Sequence, residues 1–226
     1  MEKDIKILFV DDHLLILKGF LSMFKESESF NKINVVIKTS GDEALQTVKN
    51  ALETDPFDIV FTDLSFNTTT NTIHSGETLI KELKKAAPNL KIGVITGHSE
   101  TNRIYNVITN LNPLAYILKD SCNLTELNFA IERMLNDEVY YSHIVHQKIL
   151  KRSIIQISMD EIALQILEEL PKHPKIGNLV GHIVNSNGKL LQIRSIEKKL
   201  SDLRISLNAQ NNTDLVLKAK ELGVVD

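Results

Sequence analysis

The chain has 226 residues, 42% of them apolar and 24% charged, with a formal net charge of −3 and a single cysteine. That length accommodates two domains, and the balance of apolar and charged residues excludes an intrinsically disordered chain. The longest apolar runs, such as ILFV at 7–10, are far too short to span a bilayer, and Cys122 alone permits neither an internal disulfide nor a Cys-based zinc site.

The chain starts MEKDIKILFV, whose acids and strand-length apolar run do not read as a signal peptide. With a lone cysteine, this points to a cytoplasmic protein. Strand and helix patterns then alternate. IKILFV (5–10) is a compact apolar run, and LLILKGFLSMFKE (14–26) has helical spacing. INVVIKT (33–39) is β-branched, GDEALQTVKNALE (41–53) helical, and DIVFT (58–62) the third strand. GETLIKELKKAA (76–87) is a helix stopped by Pro88. LKIGVIT (90–96), ETNRIYNVITNL (100–111), LAYILK (114–119) and NLTELNFAIERMLND (123–137) complete the series. Five strands alternating with five helices predict an α/β fold, a parallel doubly wound sheet covered on both faces. Right-handed crossovers then bring all five strand C-termini to one edge, where ligands of such sheets bind.

Beyond residue 137 the strand signal disappears. Residues 138–156 read as a linker, and helical spacing returns in 159–172, 176–185, 190–208 and 213–225. A small all-α domain over 157–226 is expected. Charge divides along the same line: residues 147–226 hold 12 Lys/Arg against 9 Asp/Glu, and residues 1–146 hold 14 against 20. Different partners for the two halves follow from that asymmetry.

The chemistry concentrates at the strand ends. Asp11 and Asp12 close the first strand, Asp63 the third, Thr96 the fourth and Lys119 the fifth. One such residue would merely cap a strand, but five on one edge form a crevice of carboxylates that needs a cation. Carboxylate oxygens suit Mg²⁺, beside which a carboxylate can accept a phosphoryl group as an aspartyl phosphate. Lys119 would neutralise phosphoryl oxygens and Thr96 would hydrogen-bond one of them.

These residues carry a resemblance. The acidic pair Asp11–Asp12, the strand-end Asp63, Thr96 before Gly97, and Tyr116 three residues before Lys119 make residues 5–137 resemble the receiver domain of two-component response regulators, a flavodoxin-like fold. The resemblance implies that Asp63 accepts phosphate from a histidine kinase, that Asp12 binds Mg²⁺ with Asp11 in support, and that Ser65 lends a backbone carbonyl to the metal. It also implies that Thr96 and Tyr116 form the phosphorylation switch. Receivers usually reach a Pro and then a Gly soon after the acceptor, whereas here Gly76 lies 13 residues on with no Pro between. The loop 64–75 is therefore enlarged, either as an inert insertion or as a partner-specific lid.

In the helical half, Ile193, Ile196, Leu200, Leu203 and Leu207 form one apolar stripe. Arg194, Lys198 and Ser201 lie across from it, with Lys199 on a flank; together with Ser195 they are the candidate contacts to double-stranded DNA. A solvated charged face is the alternative. Roughly residues 155–226 resemble the helix-turn-helix domain of NarL/LuxR-type regulators, with Glu197 and the connection VNSNGKL (184–190) departing from its pattern. Leu215, Ala219 and Leu222 share a face of the last helix, which serves core packing or, as the resemblance implies, a homodimer. No metal constellation stands out among the seven histidines, and His143 and His146 are expected on the surface.

The expected protein is a response regulator that takes phosphate on Asp63, dephosphorylates itself slowly, catalyses nothing else, and regulates transcription by binding DNA. Two rivals remain. A helical half that binds protein instead of DNA fits the weak basicity and Glu197. An aspartyl-nucleophile phosphohydrolase would usually carry a second acid two residues after the nucleophile, where this chain has Ser65.

Overall fold

Ile7, Leu8, Phe9 and Val10 are all buried, as a strand covered on both faces requires. A computed structural model describes residues 4–26, 33–66, 72–173 and 175–225. Strands β1 (Ile5–Val10), β2 (Ile33–Lys38), β3 (Ile59–Thr62), β4 (Lys91–Thr96) and β5 (Ala115–Leu118) alternate with helices α1 (Leu14–Glu26), α2 (Gly41–Ala51), α3 (Gly76–Ala86), α4 (Thr101–Leu111) and α5 (Leu124–Leu135). With β6 (Tyr140–Tyr141), the strands pair in parallel in the order β2-β1-β3-β4-β5-β6.

Register explains the layering. Phe9 pairs with Phe61 and Phe61 with Gly93. The Phe9 and Phe61 rings stack at 5.2 Å, and a Cβ on residue 93 would lie 2.5 Å from the Phe61 ring. Gly93 thus makes room for an aromatic layer, which packs with Leu17, Phe20, Leu127 and Met134 from α1 and α5. The alternate residues Val10, Thr62, Val94 and Tyr116 form a row on the opposite face.

Among the described residues the sheet has six strands rather than the five expected. Strand β6 (Tyr140–Tyr141) pairs with β5, through Tyr140 N–H to the Leu114 carbonyl and Ser142 N–H to that of Tyr116. Two aromatics fit a sheet edge but are too few to show a period. The expected linker 138–156 thus contains this strand and most of α6 (His143–Ser158). Among the described side chains of α6 only Val145 is buried. His143 and His146 are exposed on it.

Contacts divide the chain into Met1–Ser99 with Asn106–His146, and Gln147–Asp226 with Glu100–Tyr105. In the second unit, α7 (Glu161–Glu169), α8 (Ile193–Ser206) and α9 (Asn212–Glu221) close on a core of Ala163, Ile166, Leu167, Ile196, Leu200 and Leu215. The helix expected over 176–185 is replaced by a 3-10 turn (Ile176–Leu179) and a bend at Gly181, whose φ of +101° only glycine adopts easily. Val184 then bridges Leu190 in antiparallel fashion, so VNSNGKL is a tight hairpin turn with Gly188 at φ +73°. Leu179 and Ile183 are buried, so the apolar spacing was real although the backbone is not helical.

Asp160 caps α7, accepting from Ala163 N–H at 2.8 Å, and also pairs with Lys199 of α8. The Lys199 hydrogen bond, reinforced by the capped amide, holds the Asp160 carboxyl below its ordinary value. A depressed carboxylate stabilises the fold above its unfolded pKa and stops doing so as pH falls through the folded one. Asp160→Ala is expected to lower stability by about 1 kcal/mol at neutral pH. In urea unfolding, the difference from the parent should shrink below about pH 4.

Candidate functional site

Parallel pairing carries each strand's last residue to the same edge. Asp11 follows β1 with its N–H on the Lys38 carbonyl, and Asp63 follows β3 with its N–H on that of Val10. Thr96 ends β4, and Lys119 follows β5. Asp11, Asp63 and Thr96 are buried.

The Lys119 ammonium lies between two carboxylates, 2.6 Å from Asp11 Oδ2 and 2.7 Å from Asp63 Oδ2. Burial works against its charge, but hydrogen bonds to Asp11 and Asp63 outweigh that and raise its pKa above the ordinary lysine value. Its charge therefore stabilises the fold below the unfolded lysine pKa, and this contribution is lost only as pH rises through the still higher folded value. Lys119 is cationic throughout the physiological range. Asp63 Oδ1 accepts the Leu64 N–H at 2.6 Å, which orients the carboxylate.

Carboxylate oxygens of Asp11, Asp12 and Asp63 and a ring nitrogen of His13 lie within 4.8 Å of one another. His13 Nδ1 is 3.1 Å from Asp11 Oδ1 and 2.8 Å from Asp12 Oδ1. A donor set dominated by carboxylate oxygen fits a hard divalent cation. His13 was missed in the sequence, although it adjoins the acidic pair.

His98 was missed as well, two residues past Thr96. Its ring Nε2 lies 2.7 Å from Ser65 Oγ, its N–H donates to Thr96 Oγ1 at 3.3 Å, and its carbonyl accepts from the Tyr116 hydroxyl at 3.2 Å. One residue thus links the loop after β3 to both switch candidates. The Tyr116 ring is wholly buried.

Gly76 resolves the anomaly of the long loop. Its N–H donates to the Leu64 carbonyl, and Ser65 bridges Ser75 in antiparallel fashion, so the loop is pinched at its base. Gly76 arrives directly behind Asp63, where a Cβ would lie 1.9 Å from the Asp63 carbonyl oxygen. Residues 67–71 of the enlarged loop lie outside the described residues. Its far rim packs on α2: Ile73 is buried, and Thr72 N–H donates to Asp42.

In α8, Arg194, Ser195, Glu197 and Lys198 are exposed and Ser201 half-buried, whereas Lys199 is tied to Asp160. Ile196, Leu200 and Leu203 bury the apolar stripe, and Ile193 at its start is exposed. Leu215 and Ala219 are in the core of the second unit and Leu222 is half-buried. Burial raises the pKa of Cys122 to about 12, which keeps it a neutral thiol.

The model of the response regulator receiver domain matches residues 7–132. The chain belongs to the response regulator receiver family. Similar response regulators include the response regulator protein VraR of Staphylococcus saprophyticus, 23% identical over 225 residues and covering 98% of this chain and 99% of the relative. The nitrate/nitrite response regulator protein homolog of Haemophilus influenzae is 28% identical over 153 residues, 68% of this chain and 67% of that one. Among solved structures, the RcsB response regulator of Salmonella typhimurium aligns with a TM-score of 0.62 at 21% identity, covering 96% of this chain and 98% of that one. A structure of two RcsB dimers bound to two parallel DNAs aligns with a TM-score of 0.60 at 20% identity, over 97% and 99%. Both halves of this response regulator thus have counterparts of matching extent: an α/β receiver and a helical unit after it. Among the described residues, no helix is long and apolar enough to cross a membrane.

Proposed function

We infer that the protein is a phosphorylation-dependent transcription regulator. Its receiver, residues 1–137, takes a phosphoryl group on Asp63 from the phosphohistidine of a partner kinase, and its helix-turn-helix domain, residues 157–226, binds double-stranded DNA. The observation that carries this reading is the Lys119 ammonium seated between the buried carboxylates of Asp11 and Asp63. Such a cation tolerates and then stabilises extra negative charge at residue 63.

Asp11, Asp12 and Asp63 would hold Mg²⁺, with the Ser65 carbonyl contributing. When bound, the ion neutralises phosphoryl oxygens and draws the phosphodonor into line. The chain's own residues do the rest. Asp63 Oδ2 attacks phosphorus as the P–N bond to the kinase histidine breaks; the bonding pair stays on that ring nitrogen, and the kinase imidazole, already protonated on its other nitrogen, departs neutral. Lys119 Nζ moves from the carboxylate to a phosphoryl oxygen, and Thr96 Oγ1 donates to another. Turning Thr96 toward the phosphoryl group alters its bond with His98 N–H, and His98 also holds Tyr116. The switch is a rearrangement of these shared partners. Slow autodephosphorylation would restore the free carboxylate.

RcsB is solved as dimers on DNA, and we carry both features to this chain. Arg194, Ser195, Lys198 and Ser201 form the candidate DNA surface. Lys199 joins them only by leaving Asp160. Selection of bound duplexes from a random pool, with and without a small phosphodonor, tests the reading. Enrichment of one sequence that sharpens on phosphorylation supports it, and failure to bind any duplex favours a protein-binding output. Affinity for random duplex should fall with salt, and Arg194→Ala or Lys198→Ala should each reduce the slope of log K against log salt by about one. An unchanged slope in both variants would move the interface elsewhere.

A further inference from the structure

A second cluster lies in the helical unit and is unused by the proposed function. Glu169 ends α7, His173 follows the 3-10 turn Leu170–Lys172, and His182 sits in the bend after Ile176–Leu179. One ligand atom from each lies within 4.8 Å of the others. The Glu169 Oε2 to His173 Nε2 distance is 3.2 Å. Adjacent ligands on a tetrahedral ion with bonds near 2.0–2.1 Å stand roughly 3.3 Å apart. The His173 and His182 rings face each other at 4.4 Å between centroids with 35° between planes.

Hydrogen bonds and burial position the segments that carry these groups. Glu169 Oε1 is held by Lys172 at 2.7 Å, leaving Oε2 for the cluster. The Gln165 amide grips Val184 from both sides, accepting its N–H at 2.9 Å and donating to its carbonyl at 3.2 Å. That clamp fastens α7 to the segment carrying His182. Leu179 and Ile183, on either side of His182, are both fully buried. His182 itself is exposed, so its ring can turn the last fraction of an ångström.

We propose that Glu169, His173 and His182 form a binding site for a divalent transition-metal ion, Zn²⁺ by preference, with a fourth position open to water. Two imidazoles select a borderline-soft ion over Mg²⁺, and three protein ligands leave a coordination position free. A bound ion would fasten the end of α7 to the bend that leads into the hairpin and α8. The helix that presents Arg194 and Lys198 would then rest on a stiffer support.

The test is calorimetric titration of Zn²⁺ into the full chain carrying Asp12→Asn and Asp63→Asn, which disables the carboxylate edge as a competing site. The expected result is one ion per chain, not displaced by a large excess of Mg²⁺. His173→Ala and His182→Ala should each weaken binding on the order of tenfold or more, since losing even a supporting partner of a ligand costs about that. Replacing His143 and His146 together by Ala should change nothing. Because His182 is exposed, its variant should fold, and Zn²⁺ should raise the thermal midpoint of the parent but not of His182→Ala. Equal affinity in the parent and both single variants, or an equal thermal shift in His182→Ala, would overturn the site and leave a plain histidine stack on a glutamate.

Discussion

Gly76→Ala is expected to cost about 3 kcal/mol of stability and to slow phosphoryl uptake at Asp63 by roughly a hundredfold. An added Cβ would lie 1.9 Å from the Asp63 carbonyl oxygen and 2.8 Å from its carbonyl carbon and the Leu64 Cα. All three are backbone atoms, so no side-chain rotation relieves the clash. Either the start of α3 withdraws or Asp63 shifts. Withdrawal breaks the Gly76 N–H bond to Leu64, and a shift disturbs the carbonyl that accepts from the Thr62 hydroxyl. Displacing a reacting group by about 1 Å is enough for a rate loss of that order. Urea unfolding and the rate of labelling by a small phosphodonor measure the two effects. Parental values for both would show that the 64–75 loop can move α3 aside, and that the pinch at Ser65–Ser75 is not what positions the acceptor.

Lys119→Ala should separate two quantities that a simple metal ligand would move together. Phosphoryl transfer is expected to slow by roughly 10²–10³, because the fixed cation facing the developing charge is gone. Mg²⁺ binding should tighten at the same time. The parent seats the ammonium 2.6 Å from Asp11 and 2.7 Å from Asp63, where it repels a second cation and occupies carboxylate oxygens. Removing it leaves two buried carboxylates side by side, an arrangement a divalent ion relieves. Titration of Mg²⁺ by calorimetry alongside labelling kinetics reads both. Weaker Mg²⁺ binding in the variant would mean that Lys119 organises the acids instead of competing for them.

How far the sequence led depended on the range of the interaction. Asp11, Asp63, Thr96 and Lys119 were legible because each directly follows or ends an apolar run, and parallel pairing leaves such residues no other edge. The buried stripe of α8 was legible for the same local reason, apart from Ile193 at its exposed start. Strand β6 was not, since two tyrosines show no period and their pairing is fixed by backbone bonds to Leu114 and Tyr116. Residues 176–185 misled because Leu179 and Ile183 are spaced as on a helix and buried, while Gly181 turns the backbone out of it. Lys199 read as a candidate DNA contact, and only the fold brings Asp160 to it from 39 residues away. The Glu169–His173 pair has visible helical spacing, but His182 joins it across a turn whose geometry the composition does not announce.

Asp63 as the acceptor is tested most directly by mass analysis of the protein after incubation with Mg²⁺ and a small phosphodonor. One phosphoryl group per chain is predicted, on the peptide containing Asp63, absent when Mg²⁺ is chelated and absent in Asp63→Asn. Undiminished labelling of Asp63→Asn would place the acceptor at another residue.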